Sequence, residues 1–101
     1  MSDTEKPLFI PLMKKFYKAF KDGSKTVEYR RYGAVWNERT CRPGRRVVLS
    51  CGYGKRNRCE GVVTKMWESI RPWELPGWIE CYGSNLHDVA CCIEIKLEPK
   101  P

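Results

Sequence analysis

The strongest constraint in this chain is a junction between two periodicities. From Pro11 to Asp22, Leu12, Phe16 and Phe20 recur every fourth residue with Met13 and Ala19 beside them, while Lys14, Lys15, Lys18 and Lys21 fill the remaining face. That spacing predicts an amphipathic helix over 11–22, with Pro11 at its first position and Gly23 as the left-handed residue that ends it. The lysines read as solvated helix surface before they read as ligand contacts. Immediately afterwards Gly23-Ser24-Lys25-Thr26-Val27-Glu28-Tyr29-Arg30 changes to a two-residue repeat. A strand over Lys25 to Arg30 places Thr26, Glu28 and Arg30 on one face and Val27 and Tyr29 on the other. Val27 and Tyr29 are expected to meet the core, and the charged face to form the wall of a polar cleft with Lys25 at its turn.

The remainder supplies strands. Residues 31–43 have no clean period, Pro43-Gly44 marks a turn, and Arg45 to Ser50 is β-branched and apolar. Gly52 to Arg58 provides glycines for a sharp reversal into a strand over Cys59 to Met66. Trp67 to Gly83 holds three tryptophans among prolines and glycines and reads as an irregular or short-helical connection capping the sheet with apolar rings. Val89 to Leu97 is the closing strand. At 101 residues and 42% hydrophobic, the chain has room for one domain, with 1–7 and 98–101 as frayed ends. No stretch has the apolar length of a membrane span and the first residues lack the pattern of a signal peptide. The expectation is a soluble, cytoplasmic monomer with no membrane partner.

The net charge of +7 is local. Arg39, Arg42, Arg45, Arg46, Lys55, Arg56 and Arg58 follow one another without an acidic residue among them, and the rest of the chain carries twelve charges of each sign. A concentrated positive field is the footprint of a polyanion binder, although a solvated basic surface has the same composition. Tyr53 lies at the start of the basic hairpin, where a ring can stack on a base while arginines hold phosphates. A flexible exposed tip is the other reading of that loop.

Cys41, Cys51, Cys59, Cys81, Cys91 and Cys92 form no C-x-x-C pair, and His87 is the only histidine. Structural free thiols are therefore expected, with no metal and no cofactor. His87, beside Asp88, reads as a surface residue. In the cleft, Lys25 serves as a base only if its pKa falls, and Glu28 beside it favours the ammonium. Thr26 is the one hydroxyl of the motif. Glu28 and Arg30 either pair with each other or bind a base edge and a phosphate.

The ordered set of a helix leading into Gly23, Lys25, Glu28 and Arg30, a Pro43-Gly44 turn before Arg45 to Leu49, a glycine-bearing hairpin and a closing apolar strand resembles the ASCH domains, a branch of the PUA-like β-barrels. The resemblance covers most of the chain. Trp67 to Asp88 departs from it, being short and Trp-rich where many relatives carry longer helices. The resemblance implies an α+β fold: a small PUA-like β-barrel with an N-terminal helix and short additional helical segments. It also implies a cleft beside the motif strand and a role in RNA binding linked to translation. The partner would be RNA, another single-stranded nucleic acid or a nucleotide-like small molecule. The residues expected to carry binding are Lys25, Glu28, Arg30, Arg31, Arg45, Arg46, Tyr53, Lys55, Arg56 and Arg58. Some relatives are hydrolases, so the alternative is a ribonuclease or nucleoside amidohydrolase with Lys25, Thr26 and Glu28 as catalytic residues. In a branch of the family that deacetylates N4-acetylcytidine the motif lysine works with a threonine three residues later and a distant glutamate, and here Glu28 stands at the threonine's position.

Overall fold

In the computed structural model, which describes residues 5–98, the chain combines five strands with short helices. In order these are β1 (Leu8–Leu12), α1 (Lys14–Asp22), β2 (Val27–Arg31), β3 (Arg46–Cys51), β4 (Arg58–Ser69), a 3-10 turn (Pro72–Glu74), α2 (Trp78–Tyr82) and β5 (Ala90–Leu97). All five strands belong to one sheet with the order β1-β3-β4-β5-β2. Only β1 and β3 run parallel; the other neighbours are antiparallel.

The two edges, β1 and β2, come back towards each other. In a flat sheet four interstrand spacings would hold them about 19 Å apart. Instead Arg30 Nη2 on β2 donates a hydrogen bond to the Pro11 carbonyl on β1 at 2.5 Å. The sheet is therefore curled into a half-barrel with a seam between its edges. Two local features of β4 accompany the curl. Thr64 is inserted between Val63, opposite Ile95, and Lys65, opposite Glu94, so the ladder carries a bulge that bends the strand. Thr64 Oγ1 donates to Glu94 Oε1 at 2.7 Å and fixes the inserted residue. Two residues before the bulged pair begins, Gly61 lets β4 approach β5 closely: a Cβ there would lie 2.7 Å from the Lys96 carbonyl oxygen.

The N-terminal region departs from the sequence expectation. The helix over 11–22 is in fact a strand followed by a shorter helix: Leu8, Ile10 and Leu12 are buried at two-residue spacing and pair from Leu8↔Val47 to Leu12↔Cys51. Leu12 satisfied both periods, which is why the helical reading absorbed it. Pro11 lies inside an edge strand, a position that tolerates the missing N–H. The helix starts at Lys14, buries Tyr17 and Phe20, and ends as expected at Gly23, whose φ of 86° and N–H bond to the Phe20 carbonyl close the last turn. Trp67 belongs to β4, and only the later part of the connection is short-helical.

The main core packs Ile10, Leu49, Val63 and Ile93 from the sheet against Tyr17 and Phe20 of α1. A second cluster forms on the other face of β5, where Trp78, Ala90 and Cys92 meet Val27 and Tyr29. Both faces of β2 are thus covered. Glu28 and Arg30 stand opposite Ile93 and Cys91, on the face of the main core, and Val27 and Tyr29 point to the smaller cluster under α2. Val27 and Tyr29 thus meet a hydrophobic cluster and Glu28 and Arg30 line a cavity, as expected, but the charged pair lies on the side of the larger core. Among the described residues no helix is long and apolar enough to cross a membrane.

Gly61→Ala should destabilise the fold by about 1–3 kcal/mol, the usual cost of forcing atoms into a packed interior. Gly54→Ala, where a Cβ would meet open space, should stay within about 0.5 kcal/mol of wild type. Urea denaturation of the two variants checks the contrast, and equal midpoints would contradict the close β4–β5 approach.

Candidate functional site

A cavity of about 170 Å³ opens in the seam. Pro11 and Leu12 of β1 form one side, Glu28, Tyr29 and Arg30 of β2 the other, Phe16 and Lys25 the α1 end, and Trp78, Cys81 and Tyr82 of α2 the roof. It exists because the edges approach without pairing, so side chains rather than backbone ladders fill the gap.

Glu28 organises the polar half. Its side chain is 9% exposed; Oε2 accepts from Arg30 Nε at 2.7 Å and Oε1 lies 3.8 Å from Lys25 Nζ. Arg30 is committed to structure, with Nε on Glu28, Nη2 on the Pro11 carbonyl, and its guanidinium 4.8 Å from the Trp36 ring centre. Lys25 is the more available cation. Its Nζ stands 4.8 Å from the Tyr29 ring centre, 5.3 Å from Phe16 and 5.6 Å from Phe20, a partial aromatic box that favours the ammonium as a point charge. Burial nevertheless pushes the Lys25 pKa below the ordinary lysine value, with Glu28 opposing the shift. Glu28 favours the ammonium, as expected, while removal from water is the larger influence.

The other half of the cavity is aromatic. Trp78 and Tyr82 pack with ring centres 4.4 Å apart, and burial raises the pKa values of the Tyr82 and Tyr29 phenols, keeping both neutral. Trp78 Nε1 is buried without a hydrogen-bond partner. A dry cavity of about 150 Å³ admits one benzene ring. This site is the right size for a single planar ring, with aromatic walls, a donor at Lys25 and an acceptor at Glu28.

The remaining predicted residues fall into separate groups. Thr26 precedes β2, is exposed, and lines two neighbouring grooves shared with Lys25 but not the seam cavity. Lys25, Thr26 and Glu28 are not assembled round one space, because the alternation that was expected to carry Thr26 into the cleft begins only at Val27. Arg31 anchors the roof, donating to Asp88 Oδ2 at 3.1 Å and lying 4.9 Å from the Tyr82 ring centre. Arg45 and Arg46 are occupied at the start of β3: Arg46 pairs with Glu60 and Glu98, and Arg45 with Glu5. Glu5 and Glu98, assigned to frayed ends, thus make defined contacts.

The hairpin lies at the other end of β3. Tyr53 is 80% exposed, with its ring centre 6.1 Å from that of Phe9 on β1, and Arg58 lies 5.1 Å over the same Phe9 ring while Nε donates to the Gly54 carbonyl. Lys55 and Arg56 are exposed in the turn. The Gly52 N–H donates to the Leu12 carbonyl at 2.9 Å, which joins the hairpin to the cavity wall. The basic stretch, continuous in sequence, is thus divided between two ends of a strand about 17 Å long.

Phe9 was not singled out from the sequence, Cys81 only as a structural thiol, and Trp78 and Tyr82 only among the rings of the capping connection. Their one signal was aromatic density, which does not say which ring lines a space. His87 is exposed and outside the cavity. The six cysteines lie in the described residues without a disulfide among them, and four of them are buried. Among the described residues no three His, Cys, Asp or Glu side chains are grouped to hold a metal ion. No protein-family model matches the chain, and comparison with curated proteins returns no match.

Glu28→Gln leaves Arg30 and Lys25 without a buried counter-charge. It should cost about 2–4 kcal/mol, somewhat below the full penalty of a broken buried pair because both cations keep some solvent. It should also lower the Lys25 pKa further, since Glu28 is what opposes the effect of burial. Thermal unfolding and an NMR titration of the Lys25 ammonium provide the two readings; a rise in that pKa would contradict the geometry.

Proposed function

We propose that this protein binds single-stranded nucleic acid, RNA foremost, as an ASCH-type domain of the PUA-like class. The seam cavity takes one base, and the adjoining hairpin holds the strand on either side of it. The observation that carries this reading is adjacency: the Gly52–Leu12 hydrogen bond sets an exposed aromatic and basic hairpin against a ring-sized cavity walled by aromatic side chains. Either feature alone has ordinary explanations. Together they match the two requirements of single-strand recognition, an unstacked base held on aromatic faces and a cationic track for the backbone.

The chemistry of the cavity also favours binding over hydrolysis. Thr26 lies outside it, and Glu28 has an oxygen on Arg30 and the other towards Lys25. Selection in the cavity would come from hydrogen bonds: Lys25 donates to ring carbonyls or ring nitrogens, and a remaining lone pair of Glu28 accepts from an exocyclic amine or ring N–H. A free mononucleotide presents the same ring to the cavity without the neighbouring phosphates that the hairpin would hold.

Two comparisons test the reading. A short RNA with an abasic nucleotide at the preferred position should bind about 5- to 150-fold more weakly than its parent, in line with the roughly 1–3 kcal/mol that stacking on one base contributes. Replacing Arg56 and Arg58 by Gln should weaken binding of both RNAs and flatten the log–log salt dependence by about 1.4, two phosphate contacts at about 0.7 each. Abasic and parent RNAs of equal affinity would remove the cavity from the interaction. An unchanged salt slope would remove the hairpin.

A further inference from the structure

Glu5 occupies a place that the local geometry prepares for an anion. Just before β3, Arg42, Arg45, Lys6 and Glu5 line an open cavity of about 380 Å³ at the end of the strand remote from the hairpin. The Glu5 carboxylate is held by two arginines: Arg42 Nη2 donates to Oε1, and Arg45 Nε approaches Oε2 at 3.6 Å. Both guanidinium groups are also fixed by backbone. Arg42 Nη1 donates to the Arg39 carbonyl at 3.0 Å, and Arg45 Nη1 and Nη2 donate to the Thr40 and Lys6 carbonyls, each at 2.9 Å.

These carbonyls leave one buried donor over. Arg45 Nε has no hydrogen-bond partner, because Glu5 is near enough to pair with it electrostatically but too far to accept from it. A two-oxygen carboxylate on a chain-tethered stem satisfies Arg42 and stops short of Arg45. A phosphate group carries a third oxygen and no tether, so it can accept from Arg42 and Arg45 at once. Arg46 does not share in this, since Glu60 and Glu98 hold it at 2.9 and 3.3 Å. The tie that keeps Glu5 in place is partly exposed, with the carboxylate side chain 33% and Arg42 42% accessible, so a competing anion displaces it at little cost.

We propose that Arg42 and Arg45 form a phosphate-binding site which Glu5 fills as an internal carboxylate until a phosphate group displaces it. The site is independent of the seam cavity, and its phosphate comes either from a nucleic-acid backbone or from a free phosphate or phosphomonoester.

The test compares wild type with Glu5→Gln, using inorganic phosphate as probe against chloride at matched ionic strength, and follows the Arg42 and Arg45 side-chain N–H signals by NMR. Phosphate should move the Arg45 Nε–H signal, and Glu5→Gln should tighten the apparent affinity by about tenfold if Glu5 fills the site nine-tenths of the time. Adding Arg42→Gln to Glu5→Gln should abolish the gain. A single-stranded RNA then distinguishes the sources: if the backbone is the ligand, Glu5→Gln also tightens RNA binding and steepens its salt dependence by about 0.7 per cation released. A gain for inorganic phosphate alone assigns the site to free phosphate or a phosphomonoester. Equal phosphate affinity for wild type and Glu5→Gln, an unmoved Arg45 signal, or a gain that survives Arg42→Gln overturns the proposal. None of these outcomes depends on whether an abasic RNA is distinguished at the seam.

Discussion

The half-barrel depends on a clasp made from Glu28, Arg30 and the Pro11 carbonyl. An open sheet of five strands has two edges with unpaired backbone groups, which proteins ordinarily cover, shorten or charge. Here the edges face each other across a seam, and one guanidinium spans it: Arg30 takes its orientation from Glu28 at 2.7 Å and reaches the carbonyl of the opposite edge. A buried ion pair of this kind adds little net stability over well-packed apolar residues. Its contribution is positional, because it fixes how near the edges come while leaving the remaining gap unfilled. Trp36 stacked on the guanidinium removes the other conformations that a long side chain would adopt. The cavity is what the clasp leaves between β1, β2 and the α2 roof.

Much of this architecture was legible in the sequence, and the failures have physical causes. Strands β2, β3 and β5 were readable to within a residue or two because each is bounded by a glycine, a proline or a change of period. Strand β1 was not, since Leu12 fits a four-residue repeat with Phe16 and Phe20 as well as a two-residue repeat with Leu8 and Ile10. What decides between them is a parallel pairing with β3, some forty residues away. The bulge at Thr64 has no local signature, because an inserted residue is defined only by its partner strand.

The motif strand shows a subtler limit. Alternation correctly separated Glu28 and Arg30 from Val27 and Tyr29, but it identifies faces and not which of them is buried. When both faces are covered, polarity ceases to mark the solvent side. Glu28 and Arg30 tolerate the main-core side because they satisfy each other and a backbone carbonyl there. The roof residues were hardest to place, since Trp78, Cys81 and Tyr82 lie in a segment whose prolines and glycines interrupt any period.

Charge shows the same difference between sequence and space. The excess of +7 falls on one stretch of chain, yet Arg42, Arg45 and Arg46 meet carboxylates from Glu5, Glu60 and Glu98 at one end of β3, while Lys55, Arg56 and Arg58 stand round Tyr53 at the other. A field that looked uniform is therefore strongest at the hairpin, beside the seam. The seam itself carries Lys25 and Arg30 against Glu28, one positive charge in excess, and Arg30 has two of its nitrogens committed to the clasp. Lys25 is left as the cation that a ligand meets, held among three aromatic rings on the wall common to the cavity and its two neighbouring grooves. Burial weakens its hold on the proton, so its interaction with a ligand is sensitive to whether that ligand brings an acceptor to replace lost water. A group that supplies one stabilises the ammonium, and a purely apolar ring does not. The same clasp that closes the half-barrel thus biases the space beside it towards rings edged with carbonyls or unprotonated nitrogens.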